Sequence, residues 1–227
     1  MKNSKEYALK LGKLYRQLKR KYPKLKKTTY EDPTEAIVYA IISENISENE
    51  TKKAMEGIAS KFVDLNDLRV SSIDEIVEAT GLDNTAARET AGILTKNLKM
   101  IYDKYHFLNM EWLKKNGKRP AKQLLEKMSM SRFVIDYCML TSLQGHAIPL
   151  TKKMLGYLKQ EEIVYPEATE DEIEGFLTNQ ISADEAYEFY RLLRQESESI
   201  KETKTGGKEK KAVKEKKVSA KSRKEIK

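Results

Sequence analysis

Few side chains in this 227-residue sequence could do chemistry by type alone, and their spacing removes most of them. Cys138 is the single cysteine, which excludes an internal disulfide and any multi-thiolate metal or iron–sulfur site built from this chain. It falls on an apolar stripe, where a thiol is a small buried hydrophobe rather than a nucleophile. His106 and His146 have no partner at metal-ligand spacing and read as ordinary polar residues, so neither metal nor cofactor is expected. What remains is a turn. Between two apolar runs stands Ser129-Met130-Ser131-Arg132, with two small residues of helix-capping chemistry, the second placed to cap the next helix. Phe133, Val134, Tyr137 and Cys138 then recur at helical spacing and predict a buried stripe.

The elements that must position this turn are helices. Residues 4–22 predict an amphipathic helix with Tyr7, Leu11, Leu14, Tyr15 and Leu18 on one face, ended by Pro23. Asp32-Pro33-Thr34-Glu35 is a helix start, and the apolar run from Ala36 to Ser43 must be buried. Ser47 caps a helix to about Val63, and Ser72 a short one stopped by Gly81. A long helix spans Thr85 to Tyr105 with Ala87, Ala91, Leu94, Leu98 and Ile101 inward. Trp112 and Leu113 sit on a short element, and Pro120 opens the helix leading into the turn. Helices at about 151–160, 169–179 and 183–199 complete the chain. No alternating stretch is long enough for a sheet, so the fold class is all-α. The domain reading is a basic N-terminal helix (1–28), a main helical domain (29–200) and a disordered lysine-rich tail (201–227).

The formal net charge of +8 is unevenly spread. Residues 201–227 carry 12 basic and 4 acidic residues, which leaves 43−12=31 bases and 35−4=31 acids in residues 1–200. Within that neutral body, residues 1–27 hold 11 bases against Glu6, and residues 114–159 hold 10 bases against Glu126 and Asp136. Solvated helix faces account for any one basic segment; the coincidence of one with the turn points to a polyanion. No signal peptide or long apolar run is present, which predicts a soluble, cytoplasmic protein, at the nucleoid or in a nucleus, with no membrane partner.

Four stretches, in order, resemble the endonuclease III-like superfamily of helix-hairpin-helix DNA glycosylases over roughly residues 33–198. Ile41-Ile42-Ser43-Glu44-Asn45-Ile46-Ser47 is similar to the family's L-L-S-x-Q-x-T, the loop whose Gln enters the DNA stack; Asn45 falls at that position. Gly81-Leu82-Asp83-Asn84-Thr85-Ala86-Ala87 is similar to G-[LF]-x-N-x-K-A. The turn from Leu125 to Arg132 stands at the hairpin, and Ala186-Tyr187-Glu188-Phe189-Tyr190-Arg191-Leu192 where the second lobe closes. The resemblance implies two helical lobes, a monomer, and a cleft for double-stranded DNA, contacted through Asn45, Lys127, Ser129, Met130, Ser131, Arg132, Lys152 and Lys153.

The sequence departs from the family where the chemistry lies. The four-cysteine loop of many relatives is absent. The hairpin glycines are replaced by Ser129 and Ser131, whose amides can still donate to a phosphate, at a cost if the turn demands positive φ. The family's Lys nucleophile falls at Phe133 and its Asp at Thr151 in one register, or at Val134 and Lys152 in the other. Neither register supplies an amine for the sugar or a carboxylate for an oxocarbenium-like centre. Three functions stay open: a DNA-binding member with weak or no lyase activity; a monofunctional glycosylase using other groups, with Asp136, Glu44 and Tyr137 as candidates; and an all-α protein that binds RNA or an acidic protein. Ser129 to Arg132 are expected at the mouth of a cleft, with Phe133, Val134 and Cys138 buried.

Overall fold

Local capping chemistry sets most of the helix boundaries. A computed structural model describes residues 4–23, 26–82 and 84–200. Its helices are α1 (Ser4–Lys21), α2 (Pro33–Ser43), α3 (Glu48–Lys61), α4 (Leu65–Val70), α5 (Ile73–Thr80) and α6 (Thr85–Tyr105), followed by a 3-10 segment (Glu111–Asn116). Then come α7 (Lys118–Lys127), α8 (Arg132–Thr141), α9 (Lys152–Gln160), α10 (Glu170–Gln180) and α11 (Ala186–Ser199). No strand occurs among the described residues, and no helix there is long and apolar enough to cross a membrane. The basic tail from residue 201 lies outside the described residues.

Asp32 caps α2 by accepting from the Thr34 amide at 2.9 Å, with Pro33 at the first position. Ser47 and Glu50 close a reciprocal capping box on α3, as do Ser72 and Glu75 on α5 and Thr169 and Glu172 on α10. Each such box satisfies two otherwise orphaned donors. Gly81 ends α5 in the left-handed conformation, φ 66°.

Three expectations need correction. The helix beginning after Ser47 stops at Lys61, not Val63, and Asp64 starts a further short helix, α4, by accepting from the Asn66 and Asp67 amides. The lone Leu68 is its buried residue, so hydrophobic periodicity had nothing to register. Pro120 is the third residue of α7, not its opener; the amide it lacks is one the first turn leaves unpaired in any case. The apolar stripe of α8 is no stripe: every residue from Phe133 to Thr141 is buried, Asp136 among them. A helix covered on all sides is a central one.

The described residues up to Ser197 form one unit. Within it α8 lies along α2, and α2 also meets α3 and α6, so these two apolar helices form the middle of the core. Helices α3 to α6 pack on one another, and a Cβ on Gly57 would collide with the Ala79 carbonyl oxygen, an approach only glycine permits between α3 and α5. The first helix packs on the last. Tyr15 meets Phe189 edge to face at 5.3 Å, and its hydroxyl donates to Glu188 at 3.0 Å. Lys19 pairs with Glu185 and Glu188, and Lys21 with Glu196. Part of the basic face of α1 is therefore neutralised within the fold. Such exposed pairs contribute at most about 1 kcal/mol each.

Candidate functional site

The hairpin turn and the loop between α2 and α3 meet at one hydrogen bond. Ser131 caps α8: its Oγ accepts from the Val134 amide at 3.2 Å and donates to Glu44 Oε2 at 3.0 Å. Ser129, at the first hairpin glycine position, adopts φ +55°. The turn keeps the left-handed geometry that glycine would take freely, and serine carries the steric cost of about 1–2 kcal/mol.

The other loop is fixed from behind. Arg194 on α11 is only 1% exposed, and its guanidinium donates to the main-chain oxygens of Ser43 at 2.7 Å and Ile46 at 2.9 Å and to the Tyr190 hydroxyl at 2.9 Å. These bonds take up carbonyls at the C-terminal end of α2 and hold Glu44 and Asn45 between two anchored residues. Glu48 completes the network, pairing with Arg191 and Arg194 and accepting from the Tyr39 hydroxyl at 2.7 Å. The two guanidiniums draw the Glu48 carboxyl below its ordinary value, against the opposing effect of burial.

Between loop and hairpin opens a cavity of about 250 Å3. Phe133, Ile148, Leu150 and Leu155 give it apolar walls, and Glu44, Asp136, Glu170 and Glu174 bring carboxyl groups to it. Thr151, which caps α9 by accepting from the Met154 amide at 3.3 Å, and Lys152 stand on the far side. Phe133 and Thr151 both line the cavity while Val134 does not.

Asp136 is 2% exposed. Burial first, and then the neighbouring Glu174, push its carboxyl up to about 7 despite the cations near it. Lys122 stands 3.7 Å away and Arg132 3.8 Å, close enough to compensate charge but beyond hydrogen-bond reach. Asp136 Oδ1 is buried with no hydrogen-bond partner. Arg132 also pairs with Asp171 and Glu174 on α10. Burial raises Glu44 above the usual carboxylate value, with Ser131 and Lys152 opposing it.

The expected site residues divide. Asn45, Ser131, Arg132 and Lys152 come together at the cavity, as do Glu44 and Asp136. Lys127, Ser129 and Lys153 are exposed but do not line it. Met130 departs from the expectation of an exposed turn: it is buried, only 8% exposed. Arg132 is exposed in part, yet its guanidinium is committed to carboxylates rather than held free for a phosphate. Tyr137 lies behind the cavity, its ring stacked on Tyr39 at 5.1 Å and its hydroxyl 3.3 Å from that of Tyr30; burial raises it far above a phenol's usual value. It does not line the cavity. Cys138 is fully buried, its thiol pushed up to about 12 by burial, consistent with a structural thiol. His106 ends α6 in the left-handed conformation, and a His146 ring nitrogen lies 2.9 Å from the Ile181 carbonyl oxygen. No cluster of His, Cys, Asp or Glu among the described residues could hold a metal ion. Sequence reasoning missed Glu170, Glu174 and Arg194. The last two had no local signal: Glu170 and Asp171 precede Glu174 at helical spacing, and Arg191 and Glu198 flank Arg194 in the same way.

No model of a known protein family matches the sequence, and no curated protein matches it. Solved structures do. A non-covalent endonuclease III–DNA complex superposes with a TM-score of 0.68 at 13% identity, over 91% of each chain. A Helicobacter pylori 3-methyladenine DNA glycosylase bound to 1,N6-ethenoadenine gives 0.59 at 15% identity, over 87% of this chain and 99% of that one. A Clostridium acetobutylicum 8-oxoguanine glycosylase/lyase in complex with DNA gives 0.59 at 22% identity; 74% of this chain is covered but only 60% of that one, less than two thirds of its length. The chain has the all-helical fold of the helix-hairpin-helix DNA glycosylases.

Proposed function

We propose that this chain, built on the helix-hairpin-helix DNA glycosylase fold, binds double-stranded DNA in a base-excision setting, as a monomer, with little or no lyase activity. The observation that carries this reading is the Ser131–Glu44 hydrogen bond. It joins the hairpin to the Asn45 loop across the mouth of one cavity, the two elements that would hold a duplex and fill the gap left by an extruded base. A phosphate would meet the amides of the turn and the exposed Lys127, Lys152 and Lys153, contacts that position DNA without reading sequence. Lyase chemistry needs an amine on the opened sugar, and Phe133 fills the place where the resemblance puts one.

The test is duplex binding by fluorescence anisotropy, paired with borohydride trapping on abasic DNA. Binding without a covalent adduct is the expected result. An adduct that survives removal of residues 201–227 would overturn the absence of lyase activity, and its loss in Lys152→Ala would identify the amine responsible. Preferential binding of RNA or of an acidic protein would replace the reading altogether.

Monofunctional glycosylase activity is the second reading, favoured by Asp136. A buried carboxyl titrating near 7 on the wall of a base-sized cavity has the properties of a general acid or base. Release of a base without strand cleavage, abolished in Asp136→Asn, would select it.

A further inference from the structure

We propose that the cavity between the hairpin and α10 takes a nucleobase whose edge donates hydrogen bonds, an amino-bearing base of the adenine or cytosine type, in preference to its carbonyl counterpart. The proposal rests on the DNA-binding reading and names the class of base.

Its ground is the hydrogen-bonding capacity of the cavity wall. On the inner wall the Ser131 and Arg132 donors are spent. Ser131 Oγ donates to Glu44, and the Arg132 guanidinium is held by Asp171 and Glu174. Carboxyl groups predominate among the lining residues: Glu44, Asp136, Glu170 and Glu174. Asp136 is only 2% exposed and its buried Oδ1 has no hydrogen bond, Glu174 is taken up by Arg132, and half-buried Glu44 accepts from Ser131 through Oε2. The other donors that line the cavity are the Asn45 amide and Lys152, both exposed at its rim, and the Thr151 hydroxyl. A buried carboxyl oxygen left unpaired is costly, so an occupant that supplies N–H groups gains what the folded protein alone lacks. A carbonyl oxygen in the same place would face carboxylates and leave them unpaired. Carboxylates accept from exocyclic amino groups in nucleic-acid recognition generally. The walls suit such an occupant, because the Phe133 ring and the side chains of Ile148, Leu150 and Leu155 offer apolar faces to a planar ring.

Two pairs of bases isolate the amino group: adenine against hypoxanthine, and cytosine against uracil. Each pair exchanges an amino group for a carbonyl at nearly constant shape. Each base is placed in a duplex opposite a tetrahydrofuran abasic-site analogue, so that no partner base resists extrusion, and affinity is read by anisotropy at pH 8. The expected result is tighter binding of adenine than hypoxanthine, and of cytosine than uracil, by about tenfold or more, or about 1.4 kcal/mol. In Asp136→Asn the new amide can donate, and the ratio should fall toward one. Glu44→Gln, at a partly exposed position, is the second variant should Asp136→Asn fail to fold, and it should narrow the ratio in the same direction. Equal or reversed affinities within both pairs would overturn the inference and leave the DNA-binding reading standing. A ratio unchanged in a folded Asp136→Asn chain would also overturn it. Absence of binding to any duplex would remove both.

Discussion

Arg194 donates to the main-chain oxygen of Ser43 at 2.7 Å from a position 151 residues further along the chain. The same guanidinium group reaches the Ile46 carbonyl at 2.9 Å and lies 3.4 Å from Glu48. Arg194→Met should therefore strand two carbonyls and weaken the compensation of a half-buried carboxylate, destabilising the protein by about 3–5 kcal/mol. Arg194→Lys keeps the charge but lacks the planar fork that serves several acceptors at once, so its cost should be smaller yet clearly measurable. Urea denaturation checks both. An Arg194→Met chain as stable as the parent would show that the network contributes nothing net.

Stability should depend on pH through Asp136. Its carboxyl goes from an ordinary 3.8 to about 7 in the folded protein, so the fold holds this proton more tightly than the unfolded chain does. Its contribution is present below about 4 and is lost as pH rises through 7. Asp136→Asn removes that loss. Relative to the parent, the variant should gain up to about 4 kcal/mol above pH 7, at roughly 1.4 kcal/mol per pH unit, and the gain should vanish toward pH 4. Thermal melts of the two chains across that range decide it, and parallel curves would refute it.

Ser129→Gly should stabilise the hairpin. The left-handed backbone at φ +55° costs a serine about 1–2 kcal/mol that glycine avoids, while the extra freedom of glycine in the unfolded chain returns roughly 0.5–1 kcal/mol. The expected net gain is about 0.5–1 kcal/mol by chemical denaturation. A loss would mean that the serine side chain contributes more to the turn than its backbone costs.

The lysine-rich segment 201–227 should strengthen DNA binding without sequence preference. Its 12 basic residues against 4 acidic ones can neutralise phosphates, and each neutralised phosphate changes the slope of log affinity against log salt by about −0.9. With roughly three to five such contacts, a chain ending at Ile200 should show a slope flatter by that number times about 0.9, with affinity lowered alike for all duplexes. Equal slopes for the two chains would reduce the segment to a solubility device.

The sequence made local features legible. The limits of α6 at Thr85 and Tyr105 come from the apolar period, and the caps at Ser47 and Ser72 from residue type and spacing. These are signals confined to a few neighbouring residues. The hairpin turn was readable in place but not in conformation, since nothing local reveals whether a serine at a glycine position adopts or avoids positive φ. The cavity was half readable. Glu44, Asn45 and Ser131 fall in the stretches that carry the family resemblance, whereas Glu174 joins them only because α10 lays its acidic first turns against Arg132. That contact depends on tertiary packing, and no pattern within α10 specifies it. Arg194 is the same case at greater range.

The aromatic residues of the fold also form two separate optical reporters. Trp112, the single tryptophan, packs on Tyr105 with ring centroids 4.9 Å apart and does not line the cavity. The rings of half-buried Tyr30 and Tyr39 and buried Tyr137 and Tyr190 form a chain of contacts, and Phe133 stacks on Tyr137 at 6.1 Å while forming the cavity wall. An occupant that displaces Phe133 therefore alters the asymmetric surroundings of tyrosines first. Near-ultraviolet circular dichroism in the tyrosine band would register filling of the cavity, while tryptophan emission would stay constant until the junction of α6 and the 3-10 segment itself came apart.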